Sequence, residues 1–280
     1  MRALFDHTAY ECSKLVTKAY STSFSLGIRT LHKHHHSAIY AVYGFVRYAD
    51  EIVDTFHEHD KSSLLERFKK DTYQAIEEKI SLNPILHAFQ DVVNQYQIDL
   101  ALIEAFLVSM EMDLSKKDYS DPEYKTYIYG SAEVVGLMCL KVFCEGNEEE
   151  YASLLKPAKH LGAAFQKVNF LRDIKSDFDE RGRIYFPGID FQKFTQEDKL
   201  AIEEDIKVDF QLALDGIKRL PRSARAGVYL AYVYYSVLFK KITRLSPERI
   251  KSQRIRIPNF RKILLLIKCY FRHKANYIVE

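Results

Sequence analysis

The chain has no tryptophan, and its 280 residues include only 10 glycines and 7 prolines. Many-stranded sheets need those residues at their turns, so their scarcity favours long helices. Cysteine is also sparse. Cys12, Cys139, Cys144 and Cys269 show no close pairing, and the step from Cys139 to Cys144 is wrong for a C-x-x-C metal motif. Buried free thiols in a reducing cytosol are the expectation. Neither sign of charge dominates: 41 Lys and Arg stand against 38 Asp and Glu, a net charge of +3. That is too mild to imply a nucleic-acid partner. No unbroken apolar run is long enough to span a bilayer; ILLL at 263–266 is short and flanked by charge. MRALFDHTAYECSKL lacks the apolar centre of a signal peptide, so a cytoplasmic location is expected. Neither G-x-x-x-x-G-K-[ST] nor G-x-G-x-x-G occurs, which argues against a P-loop nucleotidase and a dinucleotide-binding fold.

What is present is an ordinary globular composition, 47% hydrophobic and 28% charged, with 19 tyrosines and 18 phenylalanines for a core or an apolar pocket wall. No linker, repeat or low-complexity tract appears, so one all-α domain over 1–280 is expected. Helical candidates are 5–20, 36–54, 61–80, 84–95, 99–113, 122–143, 148–177, 196–218, 220–243 and 258–275. Asp121-Pro122 reads as an N-cap followed by proline at the first helical position. HKHHHS at 32–37 reads as a solvated loop entering a helix, because no further ligand stands beside it at helical spacing. The basic, amphipathic end at 249–274 reads as a helix docked on the core that also rests on an anionic membrane surface.

The chemistry lies on two helices whose polar residues fall in phase with the core. Along 37–56, Ile39, Val42, Tyr43, Val46, Asp50 and Val53 form one stripe, so a carboxylate falls where an apolar side chain belongs. Tyr43, Arg47, Asp50 and Asp54 share that face, the two carboxylates about 6 Å apart along the axis. Along 158–177, Gln166, Asn169, Asp173 and Asp177 form a polar stripe beside Leu161, Ala164, Phe165, Val168, Leu171 and Ile174. One Asp-x-x-x-Asp beside an arginine is usually a solvated salt-bridging face. Two copies, each in phase with an apolar stripe, argue for more. Facing carboxylates repel unless a cation joins them, and all-oxygen donors suit Mg²⁺ bridging to phosphate. Arg47, Arg172, Arg181 and Arg183 then suit the phosphate oxygens. A Mg²⁺–diphosphate site beside an aromatic-lined cavity points to ionisation of an allylic diphosphate.

YSTSFSLGIRTL (20–31), YGFVRYADEIVD (43–54), YIYGSAEVVGLM (127–138) and FQKVNFLRDIKSDFDERGRIYFP (165–187) together resemble the squalene/phytoene synthase family, with weaker matches in YYSVLFKKI (234–242) and RIRIP (254–258). The resemblance implies an isoprenoid-synthase-type helical bundle with a central cavity. It implies that Asp50, Asp54, Asn169, Asp173 and Asp177 serve Mg²⁺, with Mn²⁺ as a substitute. Arg47 and Arg172 would contact diphosphate, Ser21, Ser23 and Phe24 would line the site near one diphosphate, and Tyr234 would close that side. Tyr43, Tyr127 and Gln166 would flank the reacting carbons. The implied activity is phytoene synthase: two geranylgeranyl diphosphates joined head to head through a cyclopropyl diphosphate, without NADPH. The alternatives are a farnesyl diphosphate enzyme making dehydrosqualene or squalene, and a non-catalytic scaffold of the same fold. A carotenoid desaturase would be the downstream partner, and the inner face of the membrane the place of contact. Glu133 stands where the family usually has a small residue.

Overall fold

The computed structural model describes residues 1–190 and 192–274, with only the backbone of Asn259 and of residues 270–274. The helices begin where capping residues stand. Asp60 accepts from Ser63 N at 3.1 Å to open α4 (Lys61–Glu78), Asn83 caps α5 (Pro84–Tyr96), and Asp99 caps α6 (Leu100–Ser115). Before them run α1 (Arg2–Tyr20), α2 (Thr22–Thr30) and α3 (Lys33–Asp54). After them come α7 (Asp121–Ile128), a π-helical turn (Tyr129–Glu133) and α8 (Val134–Cys144). Next are α9 (Glu148–Arg181), α10 (Gln196–Arg219), α11 (Arg222–Thr243), α12 (Pro247–Ser252) and α13 (Asn259–Lys274). No strand forms among the described residues.

The differences from the sequence reading have local causes. Ser120, not Asp121, is the N-cap of α7, because Glu123 reaches back to accept from Ser120 N at 2.9 Å. Ser21 caps the short α2, which the sequence reading did not foresee, and Ser246 caps the equally unforeseen α12. The histidine run is not a solvated loop: α3 already starts at Lys33, and His35 is fully buried. α9 runs four residues past its expected end, to a left-handed cap at Gly182 (φ 64°). It also passes through Pro157, whose ring lies against α10 where Gly216 leaves room; a Cβ there would come within 2.3 Å of it. The π turn stands where Gly130 meets α6, with an added Cβ only 2.4 Å from the Ala105 carbonyl oxygen.

Two adjoining cores result. One gathers α1, α3, α4, α5, α6 and α8 around Phe45, whose ring stacks 3.8 Å from Phe89. Each such buried aromatic contributes roughly 1.5–3 kcal/mol. The other packs α7, α9, α10 and α11 around Tyr127, Phe170, Tyr185 and Phe210. The helix 121–144 is long and apolar enough to cross a membrane by composition; in the fold it packs against α3, α6 and α9. Cys144 and Cys269 are buried, and Cys12 and Cys139 partly exposed. α13 lies against α11 and α2 with Leu265 and Leu266 inward, while Phe260, Ile263, Leu264 and Ile267 stay exposed. Between α2, α3, α8, α9 and α11 the packing leaves a cavity of about 640 Å³.

Candidate active site

Both acidic stripes face that cavity. α3 contributes Tyr43, Arg47, Asp50 and Asp54, and α9 contributes Gln166, Asn169, Arg172, Asp173 and Asp177. The N-cap and first turn of α2 add Ser21, Ser23 and Phe24, α7 adds Tyr127, and α11 adds Tyr234. These positions and Arg181 line one cavity; Arg183, expected at the phosphate oxygens, does not, because it is buried against Asp54, Asp113 and Tyr185. Below the carboxylates its wall is apolar, running through Val42, Phe106, Leu140, Phe143, Leu154 and Leu220. Glu133 is not on this wall; it sits in the π turn, where burial raises its pKa and Lys159 opposes the shift.

Arginines hold the carboxylates. Arg47 donates to Asp50 at 2.6 Å and also to Glu51, with its guanidinium 4.3 Å from the Tyr20 ring centroid. Arg172 donates to Asp173, and Arg254 reaches the same carboxylate from the segment after α12, at 2.7 Å. Arg181, one turn beyond Asp177 because α9 continues, pairs with it at 3.0 Å and with Asp54 at 3.2 Å. Arg183 lies past the cap and pairs with Asp54 at 3.0 Å. Asp179 instead pairs with Lys175 on the outer face. Asn169 accepts from the Tyr235 hydroxyl at 3.2 Å and donates to Gln166 at 3.3 Å, so the amides of the stripe are oriented from α11.

One carboxylate escaped the sequence reading. Asp113, at the end of α6, has only 4% of its side chain exposed. It accepts from Tyr127 at 2.7 Å and from Tyr119 and Tyr185 at 3.2 Å, and Arg183 lies 3.5 Å away. Its sequence neighbourhood carries no signal, since these partners come from three separate segments. Arg254 was visible only within the weakly matched RIRIP block.

Burial and Asp173 push the Asp177 carboxyl up to about 7, and burial pushes Asp113 up to about 6 against the pull of Arg183. Burial and Asp54 likewise push Asp50 up to about 6. Asp50 keeps 37% of its side chain exposed whereas Asp177 keeps 13%, so Asp177 is the firmer case. These acids hold protons in the folded state that the unfolded chain has released. Stability from them is full below the unfolded carboxylate range and falls as pH rises through about 6 to 7. We expect the metal-free protein to lose on the order of 2 kcal/mol between about pH 5 and pH 8. Chemical denaturation across that range checks this, and stability that rises instead contradicts it.

The donor set fits a hard divalent cation. Two carboxylate pairs and an amide offer only oxygen, and Asp50 and Asp177 stay raised, by burial and then by the neighbouring carboxylate, despite the arginines beside them.

A helical bundle closed around an apolar cavity, with facing aspartate pairs at one end, has the isoprenoid-synthase-type fold. Its match to a crystal structure of a dehydrosqualene synthase in complex with ligand has a TM-score of 0.80 at 23% identity, covering 96% of this chain and 98% of that one. The chain belongs to the squalene/phytoene synthase family, whose model matches residues 17–261. It is a prenyltransferase, and its chemistry is the head-to-head condensation of prenyl diphosphates. It is 28% identical to the phytoene synthase of Arthrospira platensis, covering 92% of this chain and 91% of that protein. It is also 28% identical to the chloroplastic phytoene synthase of Narcissus pseudonarcissus, of whose length it spans 59%.

Proposed function

We propose that this enzyme is a phytoene synthase that joins two geranylgeranyl diphosphates head to head and releases both diphosphates. The observation that carries the reading is the facing pair of Asp-x-x-x-Asp stripes above one continuous apolar cavity. Relatives named phytoene synthase add weight.

Asp50 and Asp54 from one side, and Asn169, Asp173 and Asp177 from the other, would hold Mg²⁺. When bound, that ion supplies Lewis-acid stabilisation of the departing diphosphate. Arg47 and Arg172 bind diphosphate oxygens as charged donors, and Arg254 stands within reach of the same space. Ser21 and Ser23 add hydroxyl donors beside α2, and Tyr234 closes the diphosphate side. Phe24 lies between Tyr43 and Tyr235, at centroid distances of 5.6 and 6.3 Å. This aromatic group shields the allylic cation from water and offers it π faces rather than a nucleophile. Tyr127, its phenol held well above the usual range by burial and Asp113, stays protonated and keeps its hydroxyl turned to that carboxylate. Gln166 is anchored at 3.3 Å from Ser131 and positions the reacting end of the chain.

The second reading is a farnesyl diphosphate enzyme, favoured by the overlap with a dehydrosqualene synthase. Product analysis with both diphosphates, with and without NADPH, separates the two. Phytoene from the C20 substrate without NADPH is expected. Condensation of the C15 substrate alone overturns the chain-length assignment, and no diphosphate release from either overturns the site.

Contact with an anionic membrane through α13 belongs to the same proposal. Its exposed Phe260, Ile263, Leu264 and Ile267 stand beside Arg261 and Lys268, a combination suited to a negatively charged lipid surface. There a hydrocarbon product could pass to a carotenoid desaturase on the inner face. Phe260→Glu with Leu264→Glu is expected to weaken sedimentation with anionic vesicles about tenfold or more. Unchanged binding would confine α13 to packing on the core.

A further inference from the structure

The condensation leaves the histidine run at the start of α3 without a role, and the tertiary structure changes what that run can do. The sequence offers no further ligand beside it. The fold brings one from 110 residues away. Glu145, in the turn between α8 and α9, adopts a left-handed conformation (φ 49°, ψ 39°). Its Oε1 lies 2.5 Å from His34 Nε2 and 3.6 Å from His35 Nε2. Ser223 Oγ approaches the same His35 nitrogen, at 3.1 Å. One ligand atom from each of His34, His35 and Glu145 lies within 4.8 Å of the others. His32 also packs on His34, ring centroids 4.4 Å apart, with the two Nδ1 atoms in contact.

A surface histidine–carboxylate ion pair is the simpler account, and it serves His34 well. It does not serve His35. That ring is fully buried, its Nδ1 has no hydrogen-bond partner, and its Nε2, which meets Ser223 Oγ at 3.1 Å, also faces the Glu145 oxygen at 3.6 Å, too far for a hydrogen bond. With both Nε2 atoms deprotonated, two imidazole lone pairs and one carboxylate oxygen converge beside a hydroxyl, a donor set that suits a cation. The α3 N-terminus alone would repel a cation, and the Glu145 carboxylate offsets that repulsion.

We propose that His34, His35 and Glu145 form a second metal site, built for a transition-metal ion of the Zn²⁺ class, with water or Ser223 at the remaining position. Two nitrogen ligands with one carboxylate suit Zn²⁺, and nitrogen donors discriminate against Mg²⁺. The two sites therefore differ in chemistry. This one is a clip rather than a reaction centre: it ties the start of α3 to the turn after α8. Phe143, which lines the far wall of the substrate cavity, stands edge-on to His35 at 5.5 Å, so the clip backs that wall.

The test is a calorimetric Zn²⁺ titration of the chain without an affinity tag, in saturating Mg²⁺ so that the aspartate site is filled. One equivalent of Zn²⁺ per chain is expected. His34→Ala and Glu145→Gln, both at partly exposed side chains, should each weaken it about tenfold or more. Both variants should keep Mg²⁺-dependent diphosphate release and the helical circular dichroism. Co²⁺ should give an intense tetrahedral absorption band in the unaltered chain that both variants lose. Zn²⁺ bound equally well by the variants, or no Zn²⁺ binding tighter than about 100 µM to the unaltered chain, overturns the site.

Discussion

Asp173→Ala is expected to abolish diphosphate release, lowering kcat by about a thousandfold or more while the protein stays folded. Asp173 is the point on α9 where two arginines from different segments converge, Arg172 from beside it and Arg254 from beyond α12. Removing it deletes one of the oxygen donors proposed for the cation and misplaces both guanidiniums that face the leaving group. The folded state suffers little, because the lost carboxylate also repelled Asp177. The denaturation midpoint should therefore hold or rise slightly, and Asp177 should titrate lower. Steady-state diphosphate release beside an unfolding curve gives both readouts. Near-normal turnover would mean that the reacting diphosphates bind elsewhere.

Arg183→Ala is expected to act the other way, on the fold first. Arg183 is 92% buried and donates to Asp54 at 3.0 Å, to the Tyr185 hydroxyl at 3.3 Å and to the Asp113 carbonyl at 2.8 Å. Without it, Asp113 keeps its tyrosine donors but loses its only close cation among the described residues. Leaving such a buried charge uncompensated costs about 3–5 kcal/mol. Adding Asp113→Asn should recover part of that loss, because the charge left behind is then gone. Denaturant unfolding of the two single variants and the double variant measures the coupling. Strict additivity would show that Arg183 and Asp113 do not act as a pair.

The parts of the site that were legible in the sequence share one property: their signal lies within a single helix. Asp50 with Asp54, and Asn169 with Asp173 and Asp177, repeat at helical spacing in phase with an apolar stripe, so period alone marks them as inward-facing. Most helices were legible for the same reason, their caps and apolar periods being local. Asp113 was not, because what makes it special is the convergence of Tyr119, Tyr127, Arg183 and Tyr185, which no local pattern encodes. The histidine run was read as a solvated loop because the residues that meet the buried His35, Phe143 and Ser223, lie far along the chain. α9 was read as ending at Asp177, although Gly182 marks the true stop, and the shorter helix hid the turn that sets Arg181 beside Asp54 and Asp177.

Arg254 keeps about half of its side chain in solvent, yet it spans 81 residues of sequence to grip Asp173. Such a long, half-solvated arm is a removable counter-ion. At the metal site proposed above, a cation arriving alone would have to displace it and leave a guanidinium stranded, whereas a cation arriving with diphosphate would give that guanidinium a new anion to hold. Metal and substrate would then help each other bind by the same factor, as thermodynamic reciprocity requires. The resting site would thus hold bare Mg²⁺ more weakly than it holds Mg²⁺ together with a prenyl diphosphate.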